Sequence, residues 1–292
     1  MDKLLQDILA HNITATVTDE NENYIFAQFE GLTFKLAKNE LIKLPKMGSK
    51  ITGWAYENEK HDLQLTKNPP KSGIDKYAWG TVVKVQRNLG VFVDVGLPNK
   101  DFVVSMDDMP ALPELWPNKG DRLLIALTVD SQGRVWGKLA TDEMIEGVSD
   151  KADSRMKNKD VTATVYQVKL NGTHVITSDY KLGYIHPSER DQEPRLGEVV
   201  HARVIGINKN NELNLSLKPR AFEAISDDAQ MILAALQHSP SKTLPFTDKS
   251  SPDEIKTYFG ISKGAFKRAI GHLMKAGLVH QSEGTLYLNE IN

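Results

Sequence analysis

The chain has 292 residues, 40% of them hydrophobic and 25% charged, which is ordinary for a globular protein and allows two domains or three to four small ones. It has no cysteine, which excludes disulfides and zinc–thiolate sites, and no apolar run of the roughly 18 residues that would span a bilayer. The net charge of −2 gives no overall signature of nucleic-acid binding, so any site for a polyanion must be local.

Residues 1–67 predict a small β barrel. The N-terminal MDKLLQDILAHN lacks the pattern of a signal peptide, which favours a cytoplasmic protein with no membrane partner. Two runs rich in β-branched and aromatic residues follow, ITATV at 13–17 and YIFAQF at 24–29. A third segment starts at Gly48, crosses a polar turn and ends in KHDLQLTK at 60–67, where leucines alternate with polar residues. This last segment predicts a hairpin.

The same succession of strands returns twice along the chain. In the middle copy it is GTVVKV (80–85), VFVDV (91–95) and a hairpin from Gly120 to GRVWGKLA (133–140). In the third copy it is VTATV (161–165), THVIT (173–177) and a hairpin from Gly197 to KNNELNLSLK (209–218). About five short strands in roughly 65 residues favour a Greek-key barrel of the OB type.

The two junctions between the copies differ in composition. NPPKSG at 68–73 predicts a linker, because proline disfavours both helix and sheet. The polar and charged TDEMIEGVSDKADSRMKNKD at 141–160 predicts an exposed connector.

After Arg220 the hydrophobic period becomes that of a helix. AFEAISDDAQMILAALQH (221–238) places apolar residues at helical intervals, namely Phe222, Ile225, Ile232, Leu233 and Leu236. Two further helices have N-cap serines and terminating glycines: Ser251, Gly260, Ser262 and Gly277. A small hairpin with a turn at Glu283-Gly284 follows, over 278–288. The order of helix, helix, turn, helix and hairpin is that of a winged-helix domain.

Several of these segments resemble known families. LGYIHPSER (182–190) is similar to the Gly-aromatic-x-His-x-Ser-Glu segment of S1-type RNA-binding domains, and 196–218 is similar to their closing hairpin. RNLGVFVDV (87–95) resembles their second strand. Three such barrels before a winged helix, with DKSSPDEI…FGISKGAFKRAIG (248–271), resemble the conserved virulence factor B family of bacterial RNA-binding regulators. The resemblance implies RNA binding in a bacterial cytoplasm, with effects on gene expression after or during transcription.

We therefore expect a mainly β multidomain chain. Three tandem OB-fold, S1-like, five-stranded barrels are followed by an α+β winged-helix domain. The expected boundaries are 1–67, 72–141, 156–219 and 221–292.

The candidate RNA-binding residues of the middle copy surround one aromatic side chain. OB barrels bind single strands by stacking bases on aromatic residues and contacting phosphates with Lys and Arg. The resemblance gives Phe92 the stacking position, and Lys84 and Arg87 lie close to it in the sequence. The family's other aromatic is replaced by Leu89, and a core position for Phe92 stays open.

In the third copy Tyr184 and His186 match the family's third strand, and His174 stands where the second strand usually has an aromatic. Arg203 on a later strand is a candidate phosphate contact. In the first copy acidic residues dominate 19–22, so we expect a scaffold or protein-contact module. We expect its aromatics Phe26 and Phe34 to be core residues.

On the second helix of the predicted pair the basic positions are Lys263, Lys267, Arg268 and Lys275. Such a helix commonly contacts nucleic acid through phosphates. The alternative is a solvated basic face on a domain that contacts protein, so DNA, RNA and protein all stay open as its partners.

The sequence has no P-loop, GxGxxG, HExxH or GxSxG motif, and its eight histidines lack metal-ligand spacing. We expect no enzyme activity, no metal and no cofactor. The expected partner is single-stranded RNA. The alternative function is a protein adaptor that docks on the ribosome or RNA polymerase, and the oligomeric state stays undetermined.

Overall fold

A computed structural model of the chain describes residues 2–219 and 226–289. It divides into two compact units, Met1–Leu217 and Lys218–Asn292. The first contains three closed five-stranded barrels, and the second combines helices with a three-stranded sheet. In the described part of the chain, no helix has both the length and the apolar character needed to span a bilayer.

The first barrel follows a short helix, α1 (Asp2–Ile8). Its strands are β1 (Asn12–Glu20), β2 (Tyr24–Phe29), β3 (Leu32–Ala37), β4 (Lys50–Glu57) and β5 (Leu63–Thr66). They close in the order β1-β2-β3-β5-β4, in which only β3 and β5 pair in parallel. Phe34 is fully buried in the core, as predicted.

The other two barrels repeat this topology. The middle barrel comprises β6 (Ala78–Gln86), β7 (Gly90–Asp94), β8 (Phe102–Ser105), β9 (Arg122–Val129) and β10 (Val135–Leu139). The third comprises β11 (Asp160–Lys169), β12 (Gly172–Thr177), β13 (Leu182–Ile185), β14 (Val199–Ile207) and β15 (Leu213–Ser216). The predicted fold class of three OB-type barrels is confirmed.

The polar segment between the second and third barrels is not an exposed connector throughout. It begins with a helix, α2 (Asp142–Val148), whose Ile145 is fully buried. Ile145 packs with Leu124 of the middle barrel and Ile176 of the third. Most of the described residues of 141–160 are exposed, as predicted, and the prediction was wrong only for the helix that Ile145 docks.

Neighbouring barrels share packed interfaces. Between the first and second, Trp54 and Tyr56 join a buried cluster with Phe102. Between the second and third, Leu196 packs into the core of the middle barrel, and its N–H donates to the Leu115 carbonyl at 3.0 Å. Apolar contacts of this kind resist rotation of one barrel against the next.

The second unit is a winged-helix domain, as predicted. Its elements are α3 (Asp227–His238), β16 (Thr243–Leu244), α4 (Pro252–Phe259), α5 (Lys263–Lys275), β17 (Val279–Ser282) and β18 (Thr285–Leu288). The sheet has the order β16-β18-β17, and the sequence had not indicated β16. Phe222 and Ile225 of the predicted first helix lie outside the described residues.

The predicted helix signals of this unit are confirmed. The Ser251 hydroxyl accepts from the Glu254 N–H at 3.2 Å, and the Glu254 carboxylate accepts from the Ser251 N–H at 3.0 Å. This reciprocal pair is a capping box. Gly260 ends α4 with a positive φ of 73°, and Ser262 caps α5 by accepting from the Ala265 N–H at 3.2 Å.

Candidate nucleic-acid interface

Strand pairing places one outward-facing residue from the first, second, third and fifth strands side by side in each barrel. In each barrel the first strand has a register shift immediately before this residue, so the residues of the three sets occupy equivalent positions. We call each set the outer row. In the third barrel it is Gln167, His174, Tyr184 and Asn214. In the first it is Asp19, Phe26, Lys35 and Gln64, and in the middle it is Lys84, Phe92, Val103 and Trp136.

Four rings follow one another across the third barrel. The centroids of Tyr166 and His174 are 6.1 Å apart, those of His174 and Tyr184 are 5.4 Å apart, and those of Tyr184 and His186 are 6.4 Å apart. Such spacings are typical of interacting aromatic rings. The structure thus brings together three of the predicted residues and adds Tyr166, which the sequence analysis missed although it lies on the first strand of the same barrel.

Tyr184 is held in place by the turn before β12. Its hydroxyl donates to the Asn171 carbonyl, and its ring lies directly over Gly172. A Cβ on Gly172 would lie 2.4 Å from the Tyr184 Cε2, and Gly172 has a positive φ of 155°. The glycine therefore provides both the backbone conformation and the space that the ring occupies.

The two histidines of this barrel have different environments. The His186 Nδ1 accepts from the Ser188 N–H at 3.1 Å, so the neutral ring carries its proton on the exposed Nε2. His174 is half-buried, and burial, followed by the Lys169 ammonium, lowers its pKa. Its Nε2 is buried without a hydrogen-bond partner among the described residues. His174 is therefore a neutral ring suited to stacking.

A hollow of about 390 Å³ lies at one end of the outer row of the third barrel. It is lined by Tyr184, His186, Ser188, Glu189, Ile205 and Asn214. Arg203 does not line it. It lies two positions before Ile205 on the same face of β14, where its cross-strand neighbour is Asp160 of β11.

In the middle barrel Phe92 faces outward and is half-buried, whereas its neighbours Val91 and Val93 are fully buried. The Lys84 ammonium lies 5.1 Å from the centroid of the Phe92 ring, which is within cation–π distance. Arg87 instead stacks on Trp116, with its Cζ 5.6 Å from that ring centroid. The structure therefore joins Lys84 to Phe92 but directs Arg87 to a neighbouring loop.

A second aromatic on this face, Trp136 of β10, was not predicted from the sequence. Its indole N–H donates to Asp130 at 3.1 Å, and the Arg134 guanidinium lies 5.5 Å from its ring. Burial would raise the pKa of Asp130, but hydrogen bonds from Arg134, Trp136 and Gln132 outweigh it and lower the pKa to about 2. The sequence signal for this residue was a tryptophan within the closing strand VWGKL.

The outer row of the first barrel is partly occupied. Phe26 faces outward and is half-buried, so its predicted core position was wrong; Ile25 and Ala27 fill the core instead. Lys35, its cross-strand partner, forms an ion pair with Asp62. At the end of the row, Gln64 is buried beneath the middle barrel. The Asn99 side-chain amide donates to its Oε1 at 2.7 Å.

In the winged-helix unit, α5 buries Phe266 and Leu273 and exposes Lys267, Arg268 and Lys275. Lys263 is half-buried at the start of the helix, and its ammonium donates to the Lys249 carbonyl at 3.5 Å. Three of the four predicted basic residues therefore form an exposed face, and the fourth is tied to the preceding loop. Within residues 2–219 and 226–289, no cluster of His, Asp and Glu could hold a metal ion.

Comparison with known proteins assigns all four domains. The S1 domain model matches residues 12–68, and the model described as the CvfB first S1-like domain matches 77–138. The models for the second domain of the virulence regulatory factor CvfB and for a CvfB-like winged helix match 145–219 and 230–288. Conserved virulence factor B of Staphylococcus epidermidis is 38% identical over 275 residues, which are 93% of this chain and 91% of that protein. The chain belongs to the conserved virulence factor B family.

Two further proteins are similar to this chain over most of its length. The Staphylococcus aureus protein is 37% identical, over 93% of this chain and 90% of its own length. A crystal structure from Streptococcus pneumoniae, described as a multidomain protein with nucleic acid binding domains, is 47% identical. It covers 97% of this chain and 99% of its own, with a TM-score of 0.71. The S1 and winged-helix models that match this chain are not models of enzymes.

Proposed function

We propose that the chain is a non-enzymatic protein of the bacterial cytoplasm that binds single-stranded RNA and thereby regulates gene expression. The four domains have the boundaries 1–67, 72–141, 156–219 and 221–292. The observation that carries the proposal is the chain of four rings on the third barrel. Bases of any identity stack on such rings, each contributing about 1–3 kcal/mol.

The two RNA-binding surfaces are the outer rows of the middle and third barrels. In the middle barrel Phe92 and Trp136 provide the stacking faces and Lys84 contacts phosphate. In the third barrel the rings provide the stacking faces, and Arg203 contacts phosphate on a neighbouring strand. Because both barrels belong to one chain, a strand bound to one raises the effective concentration at the other.

The test is fluorescence anisotropy of labelled single-stranded RNA, with duplex RNA and single-stranded DNA as competitors. Tyr184→Ala and Phe92→Ala each lower the affinity by about 5- to 150-fold, the equivalent of one stacked base. Tyr180→Asn is the matched control, because Tyr180 is exposed in the same barrel but lies outside the outer row. Equal affinity for Tyr184→Ala and wild type would contradict the proposal.

Salt dependence provides an independent readout. Each phosphate that a cation neutralises contributes about −0.7 to the slope of log K against log salt for single strands. Lys84→Ala reduces this slope by about that amount, whereas Phe92→Ala lowers the affinity with the slope unchanged. An affinity that does not respond to salt would exclude phosphate contacts.

On the winged-helix unit we propose a weaker nucleic-acid contact through α5. Lys267, Arg268 and Lys275 are exposed, and no ion pair engages them within the described residues. The double variant Lys267→Ala/Arg268→Ala is titrated with RNA and with duplex DNA. Weaker binding of only one of the two identifies the nucleic acid that this helix contacts, and unchanged binding of both favours a protein partner.

A second candidate function, an adaptor that docks on the ribosome or RNA polymerase, is favoured by one loop of the first barrel. Ile42 is fully exposed and Leu44 and Met47 are more than half exposed, although the corresponding loop of the third barrel buries Leu196. Pull-down with wild type and with Ile42→Ser/Leu44→Ser, each with and without ribonuclease, separates the two functions. Partners that survive ribonuclease but are lost in the variant are held by this loop.

A further inference from the structure

The hollow at the end of the outer row of the third barrel is lined by an aliphatic side chain, two rings and several polar side chains. Ile205 is 37% exposed and lies on the outer face of β14, at the register shift between Val204 and Gly206. Tyr184 and His186 line the same hollow, with their ring centroids 6.4 Å apart. Exposed rings of this kind are the surfaces on which unpaired bases stack.

Asn214 also lines the hollow. It pairs with Tyr184 on one neighbouring strand and with Gly206 on the other. Because Gly206 has no side chain, nothing from β14 covers the amide; even a Cβ built there would lie 3.8 Å from the Asn214 Nδ2. Within the described residues the Asn214 amide makes no hydrogen bond.

Glu189 lines the same hollow. Glu189 ends the short 3₁₀ helix Pro187–Glu189 and is half-buried, and its backbone carbonyl is used by the Leu217 N–H at 2.9 Å. Its carboxylate forms no ion pair or hydrogen bond within residues 2–219 and 226–289. The hollow thus combines stacking rings with one amide and one carboxylate that are both available to a ligand.

We propose that this hollow is a nucleobase pocket selective for guanine, an inference that rests on the proposed RNA binding. Guanine presents two adjacent donors, N1–H and the 2-amino group, and a carboxylate accepts from both. Its O6 is an acceptor for the Asn214 amide. The base stacks on Tyr184 and is hydrogen-bonded on its Watson–Crick edge, as is usual in single-stranded RNA recognition.

The other bases match the two groups less well. Uracil places a carbonyl oxygen on each side of its single N–H, so one oxygen faces the Glu189 carboxylate and is repelled. Adenine and cytosine each have one amino group next to an unprotonated ring nitrogen, so a carboxylate accepts one hydrogen bond and opposes a lone pair. Only guanine satisfies both carboxylate oxygens without a change of protonation.

The experiment uses the full chain and labelled uridine oligonucleotides that carry a single central guanosine, inosine, adenosine, cytidine or uridine. Inosine differs from guanosine only by the missing 2-amino group. Wild type binds the guanosine oligonucleotide about tenfold more tightly than the uridine one, the usual discrimination of a two-hydrogen-bond base contact, and inosine loses most of this advantage.

The informative variant is Glu189→Gln, which keeps the shape but replaces one acceptor by a donor. It binds the guanosine oligonucleotide less tightly and the uridine oligonucleotide no less tightly, because a negative charge has been removed from beside the phosphates. A loss of folding cannot give these opposite responses. Asp191→Asn, an exposed carboxylate two residues further on, is the matched control and keeps the preference for guanosine.

The outcomes separate the two proposals. If wild type binds none of the oligonucleotides, the proposed RNA binding fails and the guanine pocket fails with it. If wild type binds all of them equally, prefers another base, or keeps its preference in Glu189→Gln, the guanine pocket is overturned and RNA binding stands. The pocket is supported if Glu189→Gln loses the preference for guanosine and if wild type binds the inosine oligonucleotide with little of that advantage.

Discussion

The substitution Gly172→Ala tests how the stacking surface of the third barrel is built. The added Cβ would lie 2.4 Å from the Tyr184 Cε2 and 2.6 Å from both its Cζ and its hydroxyl oxygen. These distances are too short for any two carbon or oxygen atoms that are not bonded. Because all three atoms belong to the far end of one side chain, we expect the ring to swing away and the bond from its hydroxyl to Asn171 to break.

The expected cost has two parts. A φ of 155° is unfavourable for any residue with a Cβ, and overpacking a well-filled site costs about 1–3 kcal/mol. We take the sum as about 2 kcal/mol. For a cooperative unit of about 150–250 residues, this lowers the melting temperature by about 4–8 °C. The loss of RNA affinity should equal that of Tyr184→Ala, because both changes remove the same ring from the surface.

A double-mutant cycle isolates the clash. In the Tyr184→Ala background the clash is absent, so Gly172→Ala costs only the free energy of placing a Cβ at the positive φ of this position. The effects of the two substitutions on the free energy of unfolding should therefore be coupled by about 0.5–3 kcal/mol. Gly206→Ala is the control glycine, since its Cβ would have only an ordinary contact at 3.8 Å, and we expect little effect on stability. Strictly additive costs in thermal unfolding, or an unchanged RNA affinity in Gly172→Ala, would refute the reasoning.

Three further predictions concern packing, stacking and pH. Leu196→Ala, in the core of the middle barrel, lowers the free energy of unfolding by about 2–5 kcal/mol, whereas Ile42→Ser on the fully exposed loop changes it by less than about 0.5 kcal/mol in urea unfolding. Trp136→Ala lowers RNA affinity in the anisotropy assay by about 5- to 150-fold, and an unchanged affinity would remove it from the interface. Burial, followed by Lys169, holds the pKa of His174 below its ordinary 6.5, so its contribution to stability is present above that value and lost as the pH falls. Melting temperatures over about pH 5–8 should therefore fall less steeply on acidification in His174→Phe than in wild type.

The fold could be predicted from the sequence because its signals are local. The strands alternate with period two and the helices have their own caps, as the capping box at Ser251 and the αL glycine at Gly260 show. The repeat supplied the topology, since three copies of one pattern have to fold alike. A helix docked by the single residue Ile145 gives no such signal.

The interface was harder to predict because it depends on non-local pairing. Trp136 reaches the outer row only because the last strand of the middle barrel pairs in parallel with the third, across about thirty residues of chain. Phe26 was misplaced because both faces of β2 are apolar, so alternation alone does not say which face is the core. The register shift in β1 decides it.

The three outer rows explain how one repeated barrel acquires different roles. The scaffold and the register are the same in each copy, so the differences lie in the row itself and in what covers it. In the first barrel Asn99 of its neighbour binds Gln64, and an ion pair occupies Lys35, so the face is used for assembly within the chain. The first row holds a single half-buried ring, Phe26, whereas the middle row holds Phe92 and Trp136 and the third row holds His174 and Tyr184. Because stacking needs ring faces that bases can reach, we expect RNA binding to be concentrated in the two barrels whose rows hold two rings each.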